Sequence, residues 1–268
     1  MIRCVYTDID GTLVGPGGSL FHDREGAWTM LPARALEACS RAGVEVVLKS
    51  GRRRESVRVL ARALGQPSWI YEVGCGLVID GDEQFLTGDL KPTPERNIFE
   101  QITDSGAVDL LFEHFEGLEY HAPWHEGRDI SHLLRGRVDA AAADALLAEH
   151  GHGELRLVDN GVLAGSDGED ERRHAYHLMP RGGSKLRAVA RHMQARGYAR
   201  EECIAIGDSR EDLEVAEVVG RFFLVANAVE ADPGIGRAAA ERANVTVCED
   251  SHGDGFYEAV VRSLAEAR

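Results

Sequence analysis

The sequence predicts an α/β fold, a doubly wound parallel sheet into which a second, α+β module is inserted. Short apolar runs at 2–7, 44–48 and 203–206 are separated by amphipathic helical stretches, the alternation typical of βαβ units. Each run is followed at once by polar residues and a glycine. Between about 89 and 179 the pattern changes to helices and paired strands, which indicates an insertion.

Composition limits the classes of partner. The chain has 268 residues, of which 44% are hydrophobic and 28% charged, as in a globular protein with one large or two ordinary domains. The formal net charge of -15 argues against nucleic acid or an anionic membrane as partner, because both need basic patches. The sequence therefore favours a small molecule as substrate.

Hydropathy and cysteine usage predict a cytoplasmic protein. No apolar run approaches the ~20 residues that would span a bilayer, and the first strand begins so early that it leaves no room for a signal peptide. The five cysteines are scattered and lie in apolar contexts, so we expect reduced core residues.

The first predicted strand, Ile2 to Thr7, ends in two carboxylates. Asp8 and Asp10 stand one residue apart before Gly11, just past the carboxyl end of a buried strand, where open α/β sheets bind ligands. Two such anionic groups repel each other unless a cation lies between them or one is protonated. The pattern indicates metal-assisted chemistry; the alternative is an acidic turn that caps the next helix.

The second predicted strand, Val44 to Leu48, leads into a hydroxyl and a glycine. The Ser50 hydroxyl and the N–H groups of Gly51 and Arg52, at the start of a helix, would form an anion site. Alternatively, Ser50 only caps the helix at 55–64. The two roles can coexist.

The next segments complete this half of the sheet and form the insertion. A third strand is predicted at 68–73 and a hairpin at 76–86. In the insertion we predict helices at 94–103, 108–115 and 139–150 and strands at 117–122, 130–138, 154–158, 162–164 and 174–178. Asp159-Asn160-Gly161 is predicted to be a hairpin turn.

After the insertion the βαβ pattern resumes. Lys185 opens a helix that runs to Arg196, and the strand Cys203 to Ile206 is followed by Asp208. Asp212 lies one helical turn beyond Asp208 if a helix begins at Ser209. Together with Asp8, these carboxylates would form an all-oxygen site, which suits Mg²⁺.

Four of these segments carry a family resemblance. Asp8-Ile9-Asp10-Gly11-Thr12-Leu13 resembles motif I of the haloacid dehalogenase (HAD) superfamily; Ser50 is similar to its motif II, Lys185 to motif III, and Gly207-Asp208-Ser209-x-x-Asp212 to motif IV. The insertion resembles the type IIB caps of the Cof-like, sucrose-phosphatase and mannosyl-3-phosphoglycerate-phosphatase group. The resemblance implies a Rossmann-like HAD core at 1–88 and 180–268 and a type IIB α+β cap at 89–179.

The resemblance also implies a phosphatase mechanism. Asp8 would attack phosphorus to give an aspartyl-phosphate, and Asp10 would protonate the leaving alkoxide and later deprotonate water. The phosphoryl oxygens would be held by Ser50, Gly51, Lys185 and Gly11. Mg²⁺ would be bound by Asp8, the main-chain carbonyl of Asp10, Asp208 and Asp212.

For the substrate, the resemblance implies only a class, a small phosphorylated metabolite. Within that class we place a sugar phosphate or glycosyl phosphate first. Candidate substrate-binding residues are Arg52, Glu72, His114, Arg172 and His177, each of which could instead be an ordinary surface or core residue. Many relatives have Glu-Asn-Gly where this chain has Glu72-Val73-Gly74. The alternatives are a phosphomutase similar to the phosphomannomutases and a non-catalytic phosphometabolite-binding protein. The sequence does not indicate an oligomeric state.

Overall fold

The computed structural model describes residues 1–163 and 173–266. Its strands in chain order are β1 (Cys4–Asp8), β2 (Glu45–Lys49), β3 (Ser68–Tyr71), β4 (Gly76–Ile79), β5 (Asp82–Phe85), β6 (Glu119–Tyr120), β7 (His132–Gly136), β8 (Leu155–Val162), β9 (His174–Pro180), β10 (Cys203–Gly207), β11 (Arg221–Leu224) and β12 (Val245–Val247). Its α-helices are α1 (Leu31–Arg41), α2 (Arg54–Ala63), α3 (Ile98–Asp104), α4 (Ala107–His114), α5 (Ala140–Glu149), α6 (Lys185–Arg196), α7 (Arg210–Glu214), α8 (Ala226–Ala231), α9 (Pro233–Ala240) and α10 (His252–Glu266).

The larger sheet has β1 near its centre. Its strand order is β12-β11-β10-β1-β2-β3-β4-β5, parallel from β12 to β3 and antiparallel from β3 to β5. The chain builds outward from β1 through β2 and β3, then returns to build the other side from β10 to β12. The doubly wound α/β fold is thus confirmed, and the order reverses between β1 and β10, where such sheets bind ligands at their carboxyl ends.

Both faces of β1 are buried, which explains its continuous apolar sequence. On one face Val5 belongs to a cluster that includes Ala35 of α1 and Phe256 of α10. On the other face Tyr6 packs in a cluster with Val189 of α6. Packing from both sides fixes the end of β1 and hence the position of the acidic loop that follows.

The smaller sheet has the antiparallel order β6-β7-β9-β8. Helices α3 and α4 precede β6, and α5 lies between β7 and β8 in the sequence. Leu147 of α5 and Leu155 of β8 are both buried in the core. These elements correspond to the predicted insertion; its boundaries at 88/89 and 179/180 stay a prediction.

One local prediction in the insertion is wrong. Asp159-Asn160-Gly161 does not form a hairpin turn but lies within β8, where the pairing with β9 shifts register between Asp159 and Val162. A bulge tolerates turn-forming residues because it leaves part of the strand unpaired. The predicted strand at 162–164 ends in a residue outside the described ranges.

No helix in the described part of the chain combines the length and the apolar character needed to cross a membrane.

Candidate active site

Side chains from three separate segments meet at the carboxyl ends of the central strands. Asp8 is the last residue of β1, and Lys185 is the first residue of α6. The Lys185 Nζ atom lies 2.8 Å from Asp8 Oδ1 and 3.0 Å from Asp212 Oδ1. Asp208, just after β10, joins Asp8 and Asp212 in one carboxylate group. Thus motifs that are almost 200 residues apart in the sequence form a single polar site.

Asp8 and Lys185 are almost completely buried. Burial raises the pKa of the Asp8 carboxyl to about 6, although the Lys185 ammonium opposes this shift. Burial would also lower the pKa of Lys185, but Asp212 and Asp8 outweigh it and the pKa lies well above its usual range. Lys185 is therefore a fixed positive charge next to the Asp8 carboxylate.

Gly11 makes room for Asp208. Gly11 has φ +79°, and a Cβ atom built on it would lie 2.1 Å from Asp208 Oδ2. Thr12 donates its hydroxyl to Asp208 Oδ1 at 3.1 Å, while Asn227 Nδ2 donates to the Gly11 carbonyl at 2.9 Å. Glycine is required here by both the backbone conformation and the close approach of the carboxylate.

Asp212 is held from three directions. Its Oδ1 atom accepts from Lys185 and from Lys49, the last residue of β2, and its Oδ2 atom accepts from the Ser209 hydroxyl at 2.6 Å. Burial alone would raise the pKa of Asp212, but the two lysines hold it below its usual range. Asp212 is thus an ionised anchor for the lysines.

The carboxylates fit a divalent metal ion. Ligand atoms of Asp8, Asp208 and Asp212 lie within 4.8 Å of one another. Glu211 adds a fourth buried carboxylate, and its oxygens have no hydrogen-bond partner among the described residues, although Lys185 Nζ is 3.4 Å from one of them. Burial raises the pKa of Asp208 well above its usual range and that of Glu211 to about 7. A hard cation that binds oxygen ligands would stabilise the ionised forms of these four carboxyl groups, which burial disfavours.

Asp10 lies at the mouth of the site. Its side chain is 57% exposed and is bound at both oxygens by Arg52, with Nε at 2.7 Å and Nη2 at 2.5 Å. Asp10 therefore differs in environment from Asp8, as two carboxylates with different tasks require. Nothing in the geometry tests whether the Asp10 carbonyl binds metal, and that role stays a prediction.

Ser50 and Gly51 lie beside the acidic cluster, after β2. Ser50 is buried, and its Oγ atom accepts a hydrogen bond from the Arg52 N–H at 3.1 Å. His177 of β9 lies over this loop: its Nε2 atom is 3.1 Å from the position of a Cβ on Gly51. Burial holds the pKa of His177 well below its usual range, so the ring is neutral. Of the predicted substrate residues, Arg52 and His177 are thus brought to the site.

The prediction that Glu72 contacts the substrate is wrong. Its carboxylate is buried and accepts the backbone N–H groups of Asp129, Ile130 and Ser131 at 2.6–3.2 Å, as well as the Ser131 hydroxyl at 2.9 Å. Three of these hydrogen bonds end on Oε2 and one on Oε1, and the buried side chain presents neither oxygen to a bound substrate. Glu72 instead fastens the segment before β7 to the larger sheet.

Two further substrate candidates are not found at the site. His114 lies at the end of α4, where its ring contacts the Leu110 carbonyl of its own helix and His150. Its role in substrate binding stays a prediction. Arg172 lies outside the described residues.

Sequence reasoning missed four buried residues, Lys49, Arg128, Ser131 and Glu211. Lys49 had a signal: a lysine that ends an otherwise apolar strand, immediately before Ser50. Glu211 also had one, because it lies between Asp208 and Asp212. No local pattern marks Arg128 or Ser131, because their contacts with Gly51, Glu72 and His177 span more than 40 positions.

Comparisons with known proteins agree with this geometry. Residues 163–253 match the family model of the haloacid dehalogenase-like hydrolases. The chain is 26% identical to a phosphoglycolate phosphatase of Methanoculleus marisnigri, over 97% of this chain and 96% of that one. It is 28% identical to a phosphoglycolate phosphatase of Halobacterium salinarum, over 95% and 94% of the two chains.

Two solved structures share the whole fold. A Thermoplasma acidophilum protein superposes with a TM-score of 0.67 at 19% identity, covering 98% of each chain. The sucrose-phosphatase of Synechocystis sp. PCC6803, in complex with sucrose and phosphate, also has a TM-score of 0.67, at 16% identity and 98% coverage of each chain.

Proposed function

We propose that the chain is a phosphatase of the type IIB branch of the haloacid dehalogenase superfamily, which the family-model match and the phosphoglycolate phosphatase relatives support. It hydrolyses a small phosphomonoester with Mg²⁺, through an aspartyl-phosphate on Asp8. The observation that carries the proposal is the 2.8 Å contact between Lys185 Nζ and Asp8 Oδ1 in a buried site. A lysine so placed can stabilise the charge of a phosphoryl group that the neighbouring carboxylate attacks.

Each step of the proposed reaction has a group in this chain. The Asp8 carboxylate forms a bond to phosphorus while the bond to the ester oxygen breaks, and that oxygen takes the proton of the Asp10 carboxyl. Asp10 then accepts a proton from the water that attacks the aspartyl-phosphate. Orthophosphate leaves, and the Asp8 carboxylate is restored.

Asp10 needs to be released from Arg52 before it can carry a proton. The guanidinium of Arg52 occupies both carboxylate oxygens of Asp10, so neither oxygen is open to exchange a proton with a substrate while the contact lasts. An anionic substrate would compete for Arg52. We propose that binding the substrate to Arg52 frees Asp10 to act as acid and base.

The metal would be held by Asp8 and Asp208, with Asp212 behind them. When bound, Mg²⁺ would supply positive charge against the phosphoryl oxygens. Asp212 is already engaged by two lysines, so we propose that it supports the site by fixing Lys185. Ser50 and Gly51 would bind the remaining phosphoryl oxygens.

The substrate favoured by the relatives is a short acid phosphate. Those reported above are named phosphoglycolate phosphatase, and two features of this chain suit such a ligand. His177 Nε2 and Asn160 Nδ2 lie 3.1 Å and 3.7 Å from the Cβ position of Gly51, which leaves little depth above the phosphate loop. Arg52 offers a guanidinium that could bind a carboxylate. We therefore rank 2-phosphoglycolate as the first candidate substrate and a sugar phosphate as the second.

The proposal is tested by turnover of p-nitrophenyl phosphate. We expect Asp8→Asn to abolish turnover while the circular dichroism spectrum is unchanged, and EDTA to abolish it until Mg²⁺ is restored. Asp82→Asn, an exposed carboxylate on β5, is the control. Substantial turnover by Asp8→Asn would contradict the assignment of Asp8 as the nucleophile. Turnover that is unchanged by EDTA would contradict the requirement for Mg²⁺.

A substrate panel separates the remaining candidates. Release of orthophosphate from 2-phosphoglycolate, hexose phosphates and disaccharide phosphates would be compared as kcat/KM. A preference for hexose phosphates would reverse the order given above. Conversion of hexose 1-phosphate to 6-phosphate, stimulated by a sugar bisphosphate, would instead indicate a phosphomutase.

A further inference from the structure

Three successive carbonyl groups of the loop after β2 are held by hydrogen bonds. The Ser50 carbonyl accepts from the Val73 N–H at 3.0 Å, and the Arg52 carbonyl accepts from the Glu72 N–H at 3.0 Å. Both donors belong to the turn that follows β3. The carbonyl between them, that of Gly51, accepts instead from Arg128 Nη2 at 2.6 Å. Arg128 lies far along the chain, four residues before the start of β7.

The contact with Arg128 fixes one peptide plane. In a trans peptide the carbonyl of Gly51 and the N–H of Arg52 point to opposite sides. While Arg128 holds the carbonyl, the Arg52 N–H points to Ser50 Oγ, from which its nitrogen is 3.1 Å away. Since Ser50 Oγ accepts there, its own hydroxyl hydrogen is free to bind a phosphoryl oxygen.

From this geometry we propose that Arg128 is a positioning residue for the phosphate-binding loop, acting through the carbonyl of Gly51. The inference rests on the proposed function, since it takes Ser50 and Gly51 as phosphate ligands. Without Arg128, the peptide between Gly51 and Arg52 could turn its carbonyl oxygen toward the phosphate. That oxygen would repel the phosphoryl oxygens, and Ser50 would lose the donor that orients it.

Arg128 is itself rigidly placed. It is buried, and its Nε atom donates to the Ser131 carbonyl at 3.0 Å and lies 3.6 Å from a Glu72 carboxylate oxygen. Its Nη2 atom also donates to Ser131 Oγ at 3.1 Å. A guanidinium held at two of its nitrogens is restricted in its rotation, which keeps its contact with Gly51 in place.

Glu72 ties Arg128 and the loop to one turn. Its N–H binds the Arg52 carbonyl, while its carboxylate binds the three N–H groups of residues 129–131. Glu72 and Val73 have φ of 45° and 59°, a conformation that costs energy for side chains other than glycine. The same strained turn thus holds both the phosphate-binding loop, through the Arg52 carbonyl, and the segment that carries Arg128, through the N–H groups of residues 129–131.

The test is calorimetric binding of orthophosphate in the presence of Mg²⁺, with the wild type, Arg128→Met and Arg128→Lys. We expect orthophosphate to bind at least 10-fold more weakly to Arg128→Met than to the wild type. Arg128→Lys should have an intermediate affinity, because it keeps a positive charge but loses the planar guanidinium that donates from several nitrogens. Arg135→Met, which removes an arginine of β7 paired with Glu119, should bind within twofold of the wild type.

The outcomes separate positioning from a structural role. A folded Arg128→Met that binds orthophosphate within twofold of the wild type would overturn the proposal, even if its melting temperature falls. If Arg128→Met does not fold, wild-type affinity in Arg128→Lys would overturn it. A wild-type protein that binds orthophosphate but hydrolyses no phosphomonoester would refute the proposed function alone, because the binding series would still decide the role of Arg128. A wild type that binds no orthophosphate would overturn this inference.

Discussion

Lys49, the last residue of β2, and Asp212, in α7, form an ion pair in which both side chains are completely shielded from solvent. Lys185 contacts the same oxygen of Asp212 and continues to Asp8. The pair therefore links a strand next to β1 to Asp8, the proposed nucleophile, through two further charged contacts. A lysine in this place also offsets part of the negative charge that the carboxylates bring together.

Removing Lys49 should cost stability. Lys49→Met would leave Asp212 with a single ammonium partner, and loss of one member of a buried pair destabilises a protein by about 3–5 kcal/mol. Urea unfolding at pH 7.5 would measure the change. Lys91→Met is the matched control, because Lys91 is exposed and its ammonium donates to the Phe85 carbonyl. If Lys49→Met lowers the free energy of unfolding by less than about 1 kcal/mol, the ion pair with Asp212 does not stabilise the fold as proposed.

Gly11→Ala and Gly17→Ala provide a matched pair of glycine variants. Both positions have positive φ, 79° and 71°, so each alanine should cost roughly 1–2 kcal/mol of stability. A Cβ on Gly11 would also meet Asp208 Oδ2 at 2.1 Å, whereas nothing lies within 4 Å of one on Gly17. We expect Gly11→Ala to lose more than 10-fold in kcat for p-nitrophenyl phosphate and Gly17→Ala to stay within twofold. Equal kcat values for the two variants would show that catalysis does not depend on the position that Asp208 occupies beside Gly11.

Val73 is the residue at which this chain departs from the Glu-Asn-Gly pattern of many relatives, and it bears backbone strain. It is buried with φ 59° and ψ 30°, a region that β-branched residues avoid and asparagine tolerates. In Val73→Asn, relief of about 1–3 kcal/mol of strain should offset much of the cost of burying an amide. In Val47→Asn, inside the extended strand β2, no relief is available.

Urea unfolding would compare these two variants. We expect Val73→Asn to lose at least about 1 kcal/mol less stability than Val47→Asn, the lower end of the strain relief. Equal losses would mean that the turn stores no strain.

Stability should depend on pH through buried neutral histidines. Burial lowers the pKa of His132 to about 4, against 6.5 for an unperturbed ring, and its Nε2 atom donates to the Phe99 carbonyl at 3.0 Å. Between pH 6.5 and 4 the unfolded chain binds the proton that the folded ring refuses. The free energy of unfolding should therefore fall as pH falls through this window, by about 3 kcal/mol for this group.

His132→Asn should make that decline shallower. Urea midpoints at several pH values from 4 to 7 would measure it, with the exposed His150→Asn as control. The free energy of unfolding should fall further at low pH in the wild type than in His132→Asn. Parallel curves for wild type and His132→Asn would show that His132 does not contribute. His177, which burial also keeps neutral, should leave a residual slope in His132→Asn.

The sequence by itself determined the strands of the larger sheet and the residues at their ends. A strand buried on both faces has to be apolar throughout, so runs such as the one before Asp8 are visible without coordinates. Parallel strands place their carboxyl ends at one edge, so Asp8, Ser50 and Asp208 could be expected to meet there. The grouping of Asp8 with Asp208, within 4.8 Å of one another, agrees with that expectation.

Only the tertiary structure decided which residues support this site from other elements. Lys49, Arg128 and Glu72 act through contacts with residues 57 to 163 positions away, and no periodicity or turn signal encodes such pairings. Glu72 is predicted as a substrate residue because it adjoins the position at which many relatives have asparagine, but burial with four hydrogen-bond donors gives it a different task. Hydrogen-bond partners depend on how whole elements pack together, and that packing is set by the summed burial of many side chains rather than by any one segment.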